Sequence, residues 1–412
     1  MSTSASPAAV HSRSLRIGLL LIAVCATIVV VGSGDRLRFD DEFRYQELAN
    51  SLLQRHAYAA PDGTPTAWWP PGYPFAVSAV YALWHRPLAA KLLNVLCLTL
   101  AVYTAALLAR RLYRNASSLT PYMALCYPIF LYVAGTLYPQ LLGSLLFLCA
   151  LALLSSDSLS RARAATAGLV YGLLCLTVPA FLLLLPLVLI YIALGTHASL
   201  RETLVKAGIV AAMTALTLSP WIVRNALQLH AFVPVSTNSG FNLLLGNSPL
   251  SQAQSKPDMA LVCTEAHDSP DEVTYDHRLT HCATDWIKHN PMQAAHLYLS
   301  KVRNYFNYRD KLATTSEATD WAAWIMFATY YPLLLLAIAR LAFIRRFPLN
   351  RTEVLLYLLY FGDALASALF FTRIRFRIPF DFLLVVIDSA FVARLWHQSR
   401  VGTLAPRLTT SA

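Results

Sequence analysis

The chain has 412 residues, of which 57% are hydrophobic and 13% charged, with a mean hydropathy of +0.49. A soluble domain of this length must cover its surface with polar groups, so the composition excludes one and requires an integral membrane protein. The net charge of +11 does not indicate nucleic acid, because the basic residues stand in short clusters between apolar runs and not in one basic and aromatic patch.

Spanning helices need roughly 17–25 apolar residues. Runs near 17–33, 88–109, 119–134, 137–155, 166–178, 179–195, 204–223, 321–343, 352–371 and 379–396 are the predicted spans. Arg13 and Arg16 before a short apolar core, with Gly32-Ser33-Gly34 after it, also fit a cleaved signal peptide. A retained anchor is expected, since cleavage would release the acidic stretch that follows. If ten helices alternate, Arg13 and Arg16, Arg110-Arg111 with Arg114, Arg161 with Arg163, Arg201 with Lys206, Arg345-Arg346 with Arg351, and Arg394 with Arg400 all fall on one side, which is then cytoplasmic. The sequons at Asn115 and Asn350 share that side and should carry no glycan. Residues 1–16 and 397–412 are the expected cytoplasmic tails, and 34–87 and 224–320 the expected external loops.

The first external stretch, Phe39–Phe75, begins with Asp40, Asp41 and Glu42. Tyr45, Leu48, Ala49, Leu52 and Leu53 follow the spacing of one helical face, which predicts an amphipathic helix lying on the outer membrane surface. The acids fit its start, where the helix dipole favours a carboxylate, either as simple caps or as a positioned catalytic group. Trp68-Trp69-Pro70-Pro71-Gly72-Tyr73-Pro74 fits an interfacial belt and a sugar-stacking wall equally.

Gly135-Thr136 predicts a tight external turn beside Tyr138-Pro139-Gln140, and Thr177-Val178-Pro179 breaks the fifth span from the sixth. After Arg224 at the outer end of the seventh span, Ser236–Gly240 and Gly246-Asn247 form a polar loop, with helix expected at 271–309 in a small external cap. Five cysteines lie in apolar runs; Cys263 and Cys282 lie in the cap, where a disulfide is open. Glu265, His267, His277 and His281 match no firm metal spacing and are read as solvated polar groups. Arg373, Arg375 and Arg377 stand outside against the positive-inside bias, so they need anionic partners: loop acids, lipid headgroups or a bound phosphate. Asp363, Asp381 and Asp388 sit in or beside the last apolar runs, as functional acids or as partnered structural ones.

In this order, DDEFRY…WWPPGYPF, LLARRLY, LSPWIVRN…VSTNSGFNLLLGN, DWIKHNP and RFRIPF, the chain resembles bacterial membrane glycosyltransferases of the GT-C type, in the group of the protein O-mannosyltransferases (glycosyltransferase family 39) and the lipid A aminoarabinose transferases. The resemblance implies an all-α polytopic bundle of about ten transmembrane helices. It further implies an inverting transferase that moves a sugar from a polyprenyl phosphate to an acceptor hydroxyl at the outer face of a bacterial inner membrane. Asp41 aligns with the catalytic acid, with Asp40 and Glu42 beside it. The candidates for the donor phosphate are Arg224, Arg375 and Arg377, then Arg373 and Lys301, and those for substrate contact are Tyr45, Trp69, Tyr73, Asn238, Asn242 and Asn247. The expected partners are a polyprenyl-phosphate-linked sugar, membrane lipid and a glycan, lipid or protein acceptor, with no nucleic acid. The sequence identifies no cofactor, and a divalent metal is left open. Val178 and Gln140 depart from the pattern, where relatives carry Arg and Glu. A flippase or transporter, or a noncatalytic partner on the same scaffold, are the competing readings.

Overall fold

The computed structural model describes residues 7–155, 159–195, 199–252, 259–309 and 320–402. The outermost parts of both expected tails, and 253–258 and 310–319 of the second loop, lie outside the described residues. All regular elements described are helices: α1 Pro7–Ser33, α2 Asp40–Arg55, α3 Gly72–Tyr81, α4 Pro87–Leu112, α5 Thr120–Leu125, α6 Ile129–Ala134, α7 Gln140–Leu154, α8 Arg161–Thr177, α9 Leu185–Ala193, α10 Leu200–Leu229, α11 Ser239–Gly246, α12 Met259–Val262, α13 Glu272–His289, α14 Pro291–Tyr305, α15 Asp320–Ala342, α16 Arg351–Ser367 and α17 Ile374–Gly402. Each predicted span coincides with helix. Among the described residues, Ser12–Ser33, Pro87–Leu112, Leu200–Leu229 and Asp320–Ala342 are long and apolar enough to cross a membrane unaided. The other spans are shorter or interrupted helices packed beside these, except α17, which is 29 residues long and carries Arg377, Asp381 and Asp388.

The interruptions follow from proline. The third span divides into α5 and α6 around Pro128, which has no N–H to give to a helix. Val178 is extended (φ −136°) before Pro179, so α8 ends there and a short 3₁₀ turn leads into α9. The helix expected at 271–309 is two helices, α13 and α14, separated at Asn290-Pro291.

Helix α17 runs through the middle of the bundle, packed against α4, α5, α7, α15 and α16. Every residue from 377 to 391 is buried, including three that are charged or acidic, so low dielectric makes partners necessary. Arg377 Nε pairs with Asp381 Oδ1 at 3.1 Å, its guanidinium lies 3.5 Å from the centre of the Tyr330 ring, and Tyr127 donates to Asp381 at 2.8 Å. Asp363 on α16 accepts from Tyr305 at 2.8 Å and from Ser367 at 3.1 Å. Asp388 is buried with no hydrogen-bond partner among the described residues. At one end of this group, Arg340 and Glu353, both wholly buried, pair at 2.8 Å, and Glu353 completes a capping box with Asn350 at the start of α16.

The apolar face of α2 is not laid on a membrane surface. Tyr45 and Ala49 are buried against Tyr73, Val77, Tyr81 and Leu137, and Leu48 against Tyr58, Ala67, Trp221 and Val233. The spacing was legible, but the apolar surface facing it belongs to the protein's own α3 and α10.

The cap is built on α11 and α13. Asp276 of α13 caps α11, accepting from Gly240 N at 2.6 Å, Phe241 N at 3.2 Å and Ser239 Oγ at 2.9 Å. Cys263 and Cys282 form a disulfide, with Cα atoms 6.0 Å apart. Gly246 lies so close to the Phe370 carbonyl that a Cβ there would sit 1.6 Å from its oxygen. Gly246→Ala is therefore expected to lower stability by about 1–3 kcal/mol through overpacking, read as a fall in Tm of the purified protein.

Candidate active site

Asp41 is in the first turn of α2, and its environment is set by its neighbour. Glu42 is buried and accepts three backbone N–H groups: Arg38 at 2.6 Å, Phe39 at 3.0 Å and Leu137 at 2.7 Å. The first two close the start of the helix. The third ties that start to the turn between α6 and α7, which carries Tyr138. Glu42 thus positions the start of α2, with both carboxylate oxygens engaged by backbone N–H groups. Asp40 is exposed, with no side-chain hydrogen bond among the described residues.

Asp41 Oδ2 receives Arg375 Nη1 at 2.6 Å and the Tyr138 hydroxyl at 3.3 Å, and Arg375 also donates to Tyr138 at 3.0 Å. The Arg375 guanidinium lies 5.2 Å from the centre of the Tyr138 ring. Burial raises the Tyr138 phenol above its ordinary pKa, so at neutral pH it is a hydroxyl that can donate to the carboxylate. Arg375 enters from the first turn of α17, not from a loop, which fixes its direction. The Asp41 and Arg375 side chains keep 23% and 31% of their exposure, so a ligand can reach both. Arg375 Nε is buried with no hydrogen-bond partner among the described residues.

The other predicted cations are occupied elsewhere. Arg377 lies inside the bundle, paired with Asp381 and donating to the carbonyls of Tyr305 and Asn307, so it is a packing residue and not a surface clamp. Arg224 donates to the Thr66 carbonyl at 2.8 Å and to the Tyr58 carbonyl, and stacks 4.9 Å from Trp221, which secures the loop between α2 and α3. Arg373 is half-buried over the Phe371 ring at 5.2 Å. Lys301 is wholly buried and donates to Gly246 O at 3.1 Å, Asn247 Oδ1 at 3.0 Å and Phe370 O at 2.9 Å, locking the cap to the chain just before α17.

The predicted substrate contacts divide in the same way. Tyr45 and Tyr73 are buried in an edge-to-face pair at 5.3 Å, and Tyr73 shares a hydrogen bond with Asn94, so neither presents a free face. Trp69 is half-buried, 5.5 Å from Tyr45. Asn247 is buried between Lys301 and the Leu243 and Leu369 carbonyls. Asn238 accepts from Ser236 at 3.0 Å, and Asn242 is half-buried. Sequence reasoning missed two site-building residues. Tyr138 stands in a short turn between two spans, a signal that could have been used. Glu272, which accepts from Thr66 Oγ1 and Ala67 N at 2.6 Å each and docks the Trp-Pro loop on the cap, carried no local signal.

Both Glu42 oxygens accept backbone N–H groups, and Asp41 faces a guanidinium. The one group of three ligand-type side chains among the described residues, Cys263, Glu265 and Cys282, has both its sulfurs in the disulfide.

No family model matches the sequence, and no curated protein does. Solved structures do match. The Archaeoglobus fulgidus oligosaccharyltransferase with Zn and sulfate aligns over 93% of this chain and 50% of its own length, at 14% identity and TM-score 0.55. The fold is that of the polytopic GT-C proteins. The archaeal oligosaccharyltransferase AglB from the same organism, with an inhibitory peptide and a dolichol-phosphate, aligns over 95% of this chain and 52% of its own at 14% identity and TM-score 0.53. The chain therefore spans about half the length of these proteins. ArnT from Cupriavidus metallidurans bound to undecaprenyl phosphate aligns over 95% of this chain and 80% of its own, at 15% identity and TM-score 0.46.

The three neighbouring acids should separate by experiment. Glu42→Gln replaces an acceptor oxygen with a donor facing N–H groups and should cost about 1–3 kcal/mol, whereas Asp40→Asn should stay within about 0.5 kcal/mol of wild type; unfolding of the purified variants measures both. Lys301 gives a pH test. Burial pushes its amine from 10.5 down to about 8. Between those values the unfolded chain binds a proton that the folded chain does not, so this group makes stability rise as pH climbs from about 8 to about 10.5. Lys301→Met should remove that rise from a plot of Tm against pH.

Proposed function

We propose that this protein is an inverting glycosyltransferase that takes a sugar from a polyprenyl-phosphate carrier at the outer face of a bacterial inner membrane. The observation that carries this reading is the contact of Asp41 with Arg375, 334 positions apart, in a half-exposed site on a GT-C fold. An archaeal relative in fold holds a dolichol-phosphate, which supports a lipid-phosphate carrier.

In this mechanism Arg375 has two successive partners. Before substrate binds, it holds Asp41. The donor phosphate competes for the exposed part of the guanidinium and loosens the ion pair. Asp41 then accepts a hydrogen bond from the acceptor hydroxyl. As the hydroxyl oxygen bonds to the anomeric carbon, its proton passes to Asp41. The bond from that carbon to the phosphate oxygen breaks, and the lipid phosphate leaves with its added charge opposite Arg375. A single displacement inverts the anomeric centre. Tyr138 holds the carboxylate as the arginine shifts.

The test is transfer of labelled sugar from synthetic polyprenyl-phosphate sugars by purified protein in lipid. Asp41→Asn should reduce turnover by about 10²–10⁴-fold with little change in donor affinity. Full activity in that variant would refute the base assignment, and donor translocation without transfer would favour a flippase.

A further inference from the structure

A groove of about 550 Å³ opens on the cap, between the segment that follows α11 and the helices α13 and α14. Its apolar surface includes Trp286 and Leu297, and its polar groups include Gln252, Gln293, His296 and Ser300. Among the described residues, no Asp, Glu, Lys or Arg lines it. Its volume falls within the range of about 300–1,000 Å³ typical of small-molecule sites.

That lining selects among ligands. A phosphate or an ammonium group would find no countercharge among the described lining residues. An acyl chain would leave amides and hydroxyls desolvated without partners, which is costly. A neutral sugar satisfies both surfaces, with a C–H face against the half-buried indole and hydroxyls against amide, imidazole and serine groups. The walls are also held in place. Ser251 Oγ lies 2.6 Å from Ser248 Oγ and donates to the Leu245 carbonyl at 2.9 Å, immediately beyond the Lys301 lock, and the disulfide joins α13 four residues before Trp286. A site so constrained loses little freedom when a ligand binds.

We infer that this groove is a saccharide-binding site, seating a neutral sugar unit of the acceptor glycan. That the sugar belongs to the acceptor rests on the transferase reading; the binding itself does not.

Saturation-transfer NMR tests the inference on the full chain in lipid nanodiscs, since maltoside detergents would themselves offer sugars. The probes are maltose, cellobiose and N,N′-diacetylchitobiose, with glucose 6-phosphate as the charged comparison. At least one neutral disaccharide should show transfer to its ring protons, weakened about tenfold in Trp286→Ala and by less in Gln293→Ala, given the size of an aromatic contact. Asp41→Asn should bind as wild type does. No transfer to any neutral probe, equal transfer in a folded Trp286→Ala protein, or equal binding of glucose 6-phosphate would overturn the site. Phospholipid retained by wild type but not by Trp286→Ala would overturn it as well. Binding is read without turnover, so a failed transferase assay leaves this result standing; transfer in the absence of binding overturns the groove alone.

Discussion

Arg375 and Asp41 meet although one lies at the start of α17 and the other at the start of α2. The contact requires α17 to sit in the centre of the bundle, its N-terminal end level with the turn at Tyr138. It also requires α2 to approach with its acidic end, as Glu42 ensures by binding Leu137. The pair is therefore the point at which the chain's two ends are registered. A charge pair near a membrane gains from low dielectric only when both members are held in place, and here the holding is done by backbone N–H groups and a tyrosine.

The rest of the structure supports that registration by pairing most of the charges it buries, Asp388 excepted. Arg377 with Asp381, and Arg340 with Glu353, would each be prohibitive alone in the bundle. Lys301 performs the same service for the cap, spreading its three donors over α11 and the residues before α17. The block NSGFNLLLGN is explained largely as architecture: Gly240 packs on α13, Gly246 on Phe370, and Asn247 supports the lysine. Its distinctiveness as a sequence reflects close backbone approach, not a row of substrate contacts.

Legibility followed range. The predicted spans were readable because a lipid-facing helix must be apolar along its whole length, and the Pro179 break because proline acts on its immediate neighbours. The acidic start of α2 was readable, as was its amphipathic face. Which surface that face would bury was not, since a periodicity of 3.6 is the same toward a membrane as toward Tyr73 and Val77. Arg373, Arg375 and Arg377 looked alike in a row. Their separation into two half-buried residues, of which Arg375 alone reaches Asp41 among the described contacts, and a core residue follows from where α17 begins and which way each position turns.

By itself, the sequence determined that this is a polytopic membrane protein with a cluster of acids beside its first span and cations near its last, because hydropathy and charge are local properties of the chain. Tertiary structure alone decided which acid meets a guanidinium, which holds backbone N–H groups and which makes no hydrogen bond among the described residues, and which of five cations lies against Asp41. Those are questions of which donor reaches which acceptor, and hydrogen bonds and ion pairs act over about 3 Å while their partners here lie tens to hundreds of residues apart.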